Sequence, residues 1–286
     1  MAHIELKVGR VRAVLLDCGA FRYDGGVIFG AVPKTSWEAQ YPADAENRIA
    51  VALRPLLVMQ DEGHFLVNTG LPEDDPALLC DPAGPKSVRR ALSDVGVRPE
   101  EIAAVVLTHL HPDHVGGNLV DGVRLAFPRA QYLAQRAEVA AAAYPNERTR
   151  ADYDPDQVRV LERLGALRVV SGRLRLNNGV TIVPAPGHTP GHQCIRVADG
   201  ATSALYVSDL AMVPVQAERL TWISALDTQP MRSLESKREL LGRAVEEESV
   251  LLFEHEPEEA RAVGRLLPDG KRWRYEAGPP QPAAQS

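Results

Sequence analysis

Apolar and polar residues alternate along the first seventy positions in short runs that predict β-strands. The runs are IELKV and VRAVLLD near the start, then RIAVALRPLLVMQ and HFLVNTG on either side of Asp61-Glu62-Gly63, which is a hairpin signal. The segment from residue 21 to 47 is rich in glycine and proline, so we expect a long loop there instead of regular structure. Loops of that length are commonly functional or mobile.

A helical period begins at PKSVRRALSDVGV, and the apolar strand AAVVLT follows it. Two helices are predicted between AQRAEV and VLERLGA, separated by a break that contains proline and aspartate. The strands LRVV, VTIVPA, HQCIRVA and ATSALYVSD come next, before the helix SLESKRELLGRAVEEE, the strand SVLLFEH, a short helix and a final KRWRYE. This order predicts two halves of strands followed by helices, which would face each other as a sandwich with helices outside both sheets.

Composition indicates a globular protein that binds small molecules. With 286 residues and 45% hydrophobic residues, the chain can bury a substantial core. The net charge of -6 and the lack of a long basic run disfavour nucleic acid and anionic membranes as partners. We expect one domain over residues 1–275 and a disordered tail over 276–286, where proline, alanine and glutamine dominate.

The three cysteines Cys18, Cys80 and Cys194 are isolated and odd in number, so they predict neither a disulfide framework nor a thiolate zinc site. The first residues are interrupted by charges and lack the apolar core of a signal peptide, and no later apolar run approaches the ~20 residues of a membrane span. We therefore expect a soluble cytoplasmic protein.

The stretch VVLTHLHPDHVGGN places four ligand-type residues directly after an apolar strand, at His109, His111, Asp113 and His114. A single histidine is more often a packed or surface residue than a ligand. Imidazoles and a carboxylate crowded on one turn, however, compete for desolvation and repel one another when protonated, unless a cation organises them. Metal binding is therefore the simplest interpretation of this cluster.

Further ligands are expected at the ends of other strands, because one turn cannot close a metal site. Three residues meet this expectation as the first ligand-type residue after an apolar run: His188 in APGHTPGHQ, Asp209 after ALYVS and His255 after SVLLFE. The ends of neighbouring strands converge in space, so these residues should join the first four and give seven ligands for two metal ions. His192 is more simply explained as a residue that orients a loop or starts a strand.

The ligand order, with THLHPDHVGG and PGHTPGHQ among its more specific motifs, resembles the metallo-β-lactamase superfamily over most of the chain. The resemblance implies an α/β fold, a four-layer αβ/βα sandwich, and two divalent metal ions, with zinc preferred over iron or manganese. One metal would be held by His109, His111 and His188, a second by Asp113, His114 and His255, with Asp209 and a hydroxide bridging both.

Two such ions lower the pKa of a shared water and polarise a substrate oxygen, which is the chemistry of hydrolysis. Asp113 lies between both metal shells and is the predicted catalytic residue, carrying the proton to the leaving group. Asn68 departs from the family pattern, which usually has aspartate before Thr-Gly, where the carboxylate supports the metal ligands. Asparagine accepts a hydrogen bond but brings no charge, so metal affinity is expected to differ here.

Within the superfamily, the chain looks most like the branch of acyl-homoserine lactonases and methyl-parathion-type hydrolases. The lactonases carry a tyrosine three residues after the bridging aspartate, where this chain has Met212. We expect a small neutral ester or lactone as substrate, with side activity on phosphotriesters. The segment 21–47 would cover the pocket, and Phe29, Trp37, Met212 and Trp222 would contact the substrate. Whether the chain acts as a homodimer stays open.

Two other enzymes of the superfamily compete with this interpretation. A glyoxalase II-like thioesterase uses the same metals but holds glutathione with basic residues, for which Lys271, Arg272 and Arg274 are candidates. A solvated edge strand explains these three better. An iron-dependent persulfide oxidoreductase usually lacks part of the second metal shell, whereas both His114 and His255 are present here.

Overall fold

The computed structural model describes residues 2–61, 63–72, 86–177 and 179–278. The strands within these ranges are β1 (Ile4–Val8), β2 (Val11–Leu15), β3 (Ala20–Asp24), β4 (Arg48–Ala52), β5 (Leu56–Met59), β6 (His64–Val67), β7 (Ile102–Val106), β8 (Leu119–Val120), β9 (Arg124–Leu125), β10 (Gln131–Gln135), β11 (Leu167–Val170), β12 (Leu174–Arg175), β13 (Val180–Pro184), β14 (Gln193–Asp199), β15 (Thr202–Tyr206), β16 (Val250–Leu252), β17 (Val263–Asp269) and β18 (Arg272–Ala277). The helices are α1 (Gly25–Phe29), α2 (Lys34–Trp37), α3 (Val88–Asp94), α4 (Pro112–Val115), α5 (Arg136–Ala143), α6 (Pro155–Arg163), α7 (Pro214–Glu218) and α8 (Pro230–Glu246).

Two seven-stranded sheets form the centre of the molecule, in the orders β1-β2-β5-β6-β7-β10-β11 and β12-β13-β14-β15-β16-β17-β18. Side chains alternate between the faces of each strand. On β2, Ala13 and Leu15 join the apolar layer between the sheets, while Val14 joins the layer under the helices of the first sheet. A third apolar cluster packs α8 against the outer face of the second sheet. The predicted four-layer αβ/βα sandwich is confirmed.

The predicted ligands follow strands that end at one edge of the sandwich. β15 and β16 are parallel neighbours, so their carboxyl ends lie together, and Asp209 and His255 follow within three residues. β7 lies in the first sheet and is followed by His109, while β13 in the second sheet is followed by His188. The sandwich therefore brings four distant parts of the chain to one place.

The segment 21–47 is not the irregular loop that its composition predicts. It begins within β3, which pairs with β4, and it contains the short helices α1 and α2. Asp24 caps α1, because its Oδ1 accepts from the backbone N–H groups of Gly26 at 2.7 Å and Val27 at 3.2 Å. Gly30, with φ of 58°, ends that helix. The glycines thus start and stop local structure here.

Three further elements differ from the sequence pattern. The predicted short helix before the last strand is only a 3-10 turn at Glu259–Arg261, and β17 takes the residues after it. β18 extends beyond the expected domain end at 275, because Ala277 pairs with Gly264. β10 is not predicted by the pattern at all. Short apolar runs do not distinguish strand from helix, and only the neighbouring strands decide these assignments.

Some of the sequence-based predictions fall outside the described residues. They are Glu62 of the hairpin between β5 and β6, Cys80, Pro85 at the start of the predicted helical pattern, and positions 279–286 of the expected tail. Among the described residues, no helix combines the length and the apolar character needed to cross a bilayer.

Aromatic rings within and near the 21–47 segment form a packed cluster. Trp37 is 1% exposed and stacks on Phe29, with their ring centroids 4.9 Å apart. Phe29 also contacts Tyr41 and Trp222, at 5.4 and 5.9 Å between centroids. A Cβ on Gly25 would lie 2.4 Å from the Trp37 ring, so α1 rests directly on this side chain. Trp37 thus packs against α1 and supports this part of the segment.

Replacing this ring should destabilise the fold. We expect Trp37→Ala to lower the free energy of unfolding by about 3–5 kcal/mol, because it leaves a cavity under α1. Tyr144→Ala, at a ring that is 87% exposed, is the control and should change it by less than about 0.5 kcal/mol. Urea unfolding at one fixed excess of zinc measures both. Equal effects of the two substitutions would show that Trp37 is not part of the supporting core.

Candidate metal centre

Three buried histidines form a first group of ligand-type side chains: His109, His111 and His188. His188 Nε2 lies 3.2 Å from His111 Nδ1. The ring of His109 stands nearly perpendicular to both, with centroids 4.5 and 4.8 Å away. The ring nitrogens of this group therefore point at a common centre.

A second group lies beside the first and contains His114, Asp209 and His255. His255 Nε2 is 3.3 Å from His114 Nε2 and 3.1 Å from Asp209 Oδ1. Asp113 closes this group on the solvent side, with its Oδ2 3.3 Å from His114 Nε2, and its side chain is 24% exposed. Glu254 also lies within ligand distance of this group. All seven sequence-predicted ligands thus converge.

Asp209 lies between the two groups and turns one carboxylate oxygen to each. Its Oδ2 is 3.2 Å from His188 Nε2 and 3.9 Å from His109 Nε2. Its Oδ1 is 3.1 Å from His255 Nε2 and 3.5 Å from His114 Nε2. This is the geometry that a carboxylate needs to bind two cations at once.

The donor atoms fit divalent metal ions such as zinc. His109 Nε2 is buried and has no hydrogen-bond partner among the described residues. A buried polar atom without a partner is costly, and a metal ion bound at this nitrogen would remove that cost. Burial, reinforced by the neighbouring imidazoles, holds the pKa of His109 well below its ordinary value and lowers that of His111 to about 3. Both rings are therefore neutral, which is the form that binds a metal.

Atoms behind the ligands orient the rings. His188 Nδ1 lies 2.9 Å from Asp227 Oδ1, and His255 Nδ1 lies 2.9 Å from the carbonyl oxygen of Ala52. Such partners fix which ring nitrogen carries the proton and leave the other free for a metal. His192 Nε2 accepts from the backbone N–H of Asp209 at 3.2 Å. His192 therefore orients a loop, as the sequence suggests.

Glu138 joins the two loops that carry the first group. This buried carboxylate accepts from the backbone N–H of Leu110 at 3.0 Å, in the first loop. It also accepts from Thr189 Oγ1 at 2.6 Å and from the N–H of Gly191 at 3.0 Å, in the second loop. The hydroxyl of Tyr153 adds a fourth bond at 3.1 Å. One side chain thus sets the spacing between these loops.

A cavity of about 290 Å³ opens above the second group. Met212 lines it as the sequence predicts, but Phe29, Trp37 and Trp222 do not, because they pack against one another in the aromatic cluster. The segment 21–47 contributes other residues to the wall. The lining residues are Phe21, Tyr23, Ile28, Val51, Leu71, His111, Pro112, Asp113, Ala151, Asp152, Asp209, Met212, Leu226 and His255.

A sequence profile of the metallo-beta-lactamase superfamily matches residues 56–255, which include all seven predicted ligands. The chain belongs to the metallo-β-lactamase superfamily. Its family, its two ligand groups and its lactonase relatives together identify it as a metal-dependent hydrolase.

Relatives of known activity include an N-acyl homoserine lactonase from a Bacillus species, which is 26% identical over 227 residues, or 74% of this chain and 84% of the relative. Among solved structures, a probable metal-dependent hydrolase from Staphylococcus aureus matches with a TM-score of 0.85 at 23% identity, covering 96% of this chain and 99% of the other. The dizinc quorum-quenching lactonase AidC matches with a TM-score of 0.82 at 20% identity, covering 98% and 99%. At these identities, the structures establish the fold.

Sequence reasoning misses three carboxylates that support the site in this metallo-β-lactamase fold. Glu138 lies in an alanine-rich helix, Glu254 stands between an apolar strand and His255, and Asp227 lies in a loop. For Glu138 and Glu254, the only signal in the sequence is that an acidic residue stands within or next to an apolar run. Their contacts arise between residues far apart in the chain, so no local pattern predicts them.

Asp209 provides a direct test of the paired site. We expect Asp209→Ala to reduce metal content from about two ions per chain to one or none, because the substitution removes a donor from both groups. Asp152→Ala, which removes a carboxylate from the same cavity but from neither group, should retain two. Metal analysis of both purified variants after dialysis measures this. Two tightly held ions in Asp209→Ala would exclude a bridging role.

Proposed function

We propose that this protein is a dinuclear metal-dependent hydrolase that acts on a small neutral lactone or ester. The observation that carries the proposal is the position of Asp209, which turns one oxygen to each of two ligand groups at the floor of an apolar cavity. The N-acyl homoserine lactonase activity named for the Bacillus relative supports the substrate class.

In the proposed site, three histidines would hold one metal, and Asp113, His114 and His255 would hold the other. Asp209 would be shared, and the imidazole-rich donor set suits zinc. When bound, two such ions supply hydroxide at neutral pH and polarise the carbonyl oxygen of the substrate. The first-metal ligands are His109, His111 and His188.

Asp113 is the proposed proton carrier. Its side chain is the most exposed of the seven proposed ligands, at 24%, and it lines the cavity. Its Oδ2 lies 3.3 Å from His114 Nε2, so a carboxylate at this position reaches both the metal group and a leaving oxygen above it. A group that moves a proton in the transition state must lie within hydrogen-bond reach of the reacting oxygen.

The cavity wall supports a neutral substrate over an acyl-glutathione. The lining includes three carboxylates, Asp113, Asp152 and Asp209, and no lysine or arginine lies among the described lining residues. An anionic tripeptide needs cations close to the metals to offset its charge. Lys271, Arg272 and Arg274 lie instead on or beside β18, the edge strand of the second sheet.

A substrate comparison tests the proposed function. We expect the catalytic efficiency of the zinc-loaded protein on an N-acyl homoserine lactone or a neutral aryl ester to exceed that on lactoylglutathione by at least about tenfold. Activity on a phosphotriester should be weaker but measurable, since the same nucleophile and cations serve carbonyl and phosphoryl centres. A tenfold preference for the glutathione thioester would replace this proposal with a glyoxalase II-like thioesterase.

Met212 lines the cavity at the place where the related lactonases carry a tyrosine. Adding a hydroxyl there should raise lactone turnover several-fold, because a well-placed oxyanion donor is worth about 2.7–4 kcal/mol and only part of this is expected in an unadapted pocket. Met212→Phe is the matched control, with the same ring and no hydroxyl. The kcat values of Met212→Tyr and Met212→Phe on one lactone decide the point. If the two agree, the hydroxyl has no role in turnover.

A further inference from the structure

The orientation of the Asn68 side chain follows from its hydrogen bonds. Its Oδ1 accepts from the backbone N–H of Thr108 at 2.9 Å and from Thr108 Oγ1 at 3.1 Å. A backbone N–H is always a donor, so the oxygen of the amide must face Thr108. The amide nitrogen therefore faces the other way, 2.9 Å from His114 Nδ1 and 2.8 Å from Glu254 Oε2.

His114 needs an acceptor on that side. Its Nε2 faces the second ligand group, 3.3 Å from both Asp113 Oδ2 and His255 Nε2. A ring that binds a metal through Nε2 carries its proton on Nδ1. The amide nitrogen of Asn68 is a donor and cannot accept this proton. Glu254 Oε2, 3.1 Å from His114 Nδ1, can accept it.

Oε2 of Glu254 is well held for this task, whereas Oε1 is buried without a hydrogen-bond partner among the described residues. Its side chain is completely buried, and Oε2 also accepts from Ser208 Oγ at 3.1 Å. Ser208 precedes the bridging Asp209, and its Oγ lies 3.0 Å from Thr108 Oγ1. The carboxylate is thereby fixed to the ends of three strands. A negative charge buried this deeply is costly unless a cation or protonated donors face it.

We propose that Glu254 is the positioning residue of the second metal site, which accepts the Nδ1 proton of His114 and supplies the negative charge that Asn68 lacks. This inference rests on the proposed dinuclear site. Asn68 serves as a spacer, because it ties Thr108 to Glu254 without competing for the imidazole proton. The second metal site therefore depends on an Asn68–Glu254 pair.

A direct bond from Glu254 to the metal is the competing arrangement, since its oxygen lies within 4.8 Å of the ligand atoms of His114, Asp209 and His255. Glu254, however, approaches His114 at Nδ1, whereas His255 and Asp113 approach it at Nε2. The two nitrogens lie on different edges of the ring, and one ion cannot occupy both. The geometry therefore favours the positioning role.

Exchanging the charge between the two positions distinguishes these arrangements. Glu254→Gln should weaken zinc binding at one of the two sites by about 10- to 100-fold and leave the other unchanged. Asn68→Asp combined with Glu254→Gln should restore the affinity, because the new carboxylate at position 68 faces His114 Nδ1 at 2.9 Å. Competition of the metal-free proteins with a chromophoric chelator measures both sites without reference to hydrolysis.

Glu256→Gln is the matched control. Glu256 is equally buried and two residues away, but its carboxylate accepts from the hydroxyl of Tyr41 at 2.8 Å and faces the aromatic cluster. This substitution removes the same charge and should leave both zinc affinities within about threefold of the original. A selective loss in Glu254→Gln that Glu256→Gln does not share supports the proposal.

Two results would overturn it. Unchanged zinc affinities in Glu254→Gln would show that the carboxylate does not support the site, and a loss that the double variant does not restore would identify Glu254 as a direct ligand. If Glu254→Gln does not fold on its own, the double variant is compared with the single variant Asn68→Asp. Equal zinc affinities of these two proteins support the proposal, and a tenfold lower affinity of the double variant overturns it. Absence of lactone hydrolysis with this titration pattern intact would refute only the proposed substrate.

Discussion

Burying a cluster of imidazoles and carboxylates is the constraint on which the rest of this structure depends. Charged groups removed from water lose several kcal/mol of hydration free energy each, and they persist only when cations and hydrogen bonds offset the loss. Here two ring nitrogens within each histidine group lie 3.2–3.3 Å apart, and the carboxylate of Asp209 lies between the two groups. The two divalent ions that we propose would balance this arrangement.

The fold meets this constraint with hydrogen bonds that orient several of the ligands and the loops that carry them. Glu138 sets the distance between the loops of the first group, while Asp227 and the carbonyl of Ala52 orient individual rings. The Asn68–Glu254 pair has the same role for His114. Its negative charge is on Glu254, after a strand of the second sheet, and not at position 68, after a strand of the first. The ligand set and its buried supports therefore form one unit, and a substitution in a support changes the metal site without touching a ligand.

We propose that substrate choice depends on a different part of the molecule. The segment 21–47 places Phe21, Tyr23 and Ile28 in the cavity wall and rests on a packed aromatic cluster below it. Its short helix is set by a capping aspartate, so the wall has a defined shape even though the segment is rich in glycine. The part of the wall that this segment supplies can therefore vary without a change in the metal ligands, which agrees with the family's use of one core for several substrates.

The sequence by itself determined the αβ/βα architecture, the seven ligand-type residues and most of the order of strands and helices, because each depends on local patterns: apolar periodicity and polar residues at strand ends. Tertiary structure alone decided that Glu254 stands beside His114, that Trp37 lies under α1 instead of in the cavity, and that β10 and β17 are strands. These features depend on contacts between residues up to 186 positions apart, as between Asn68 and Glu254. No local pattern encodes such contacts, since burial and partners arise only when the two sheets pack.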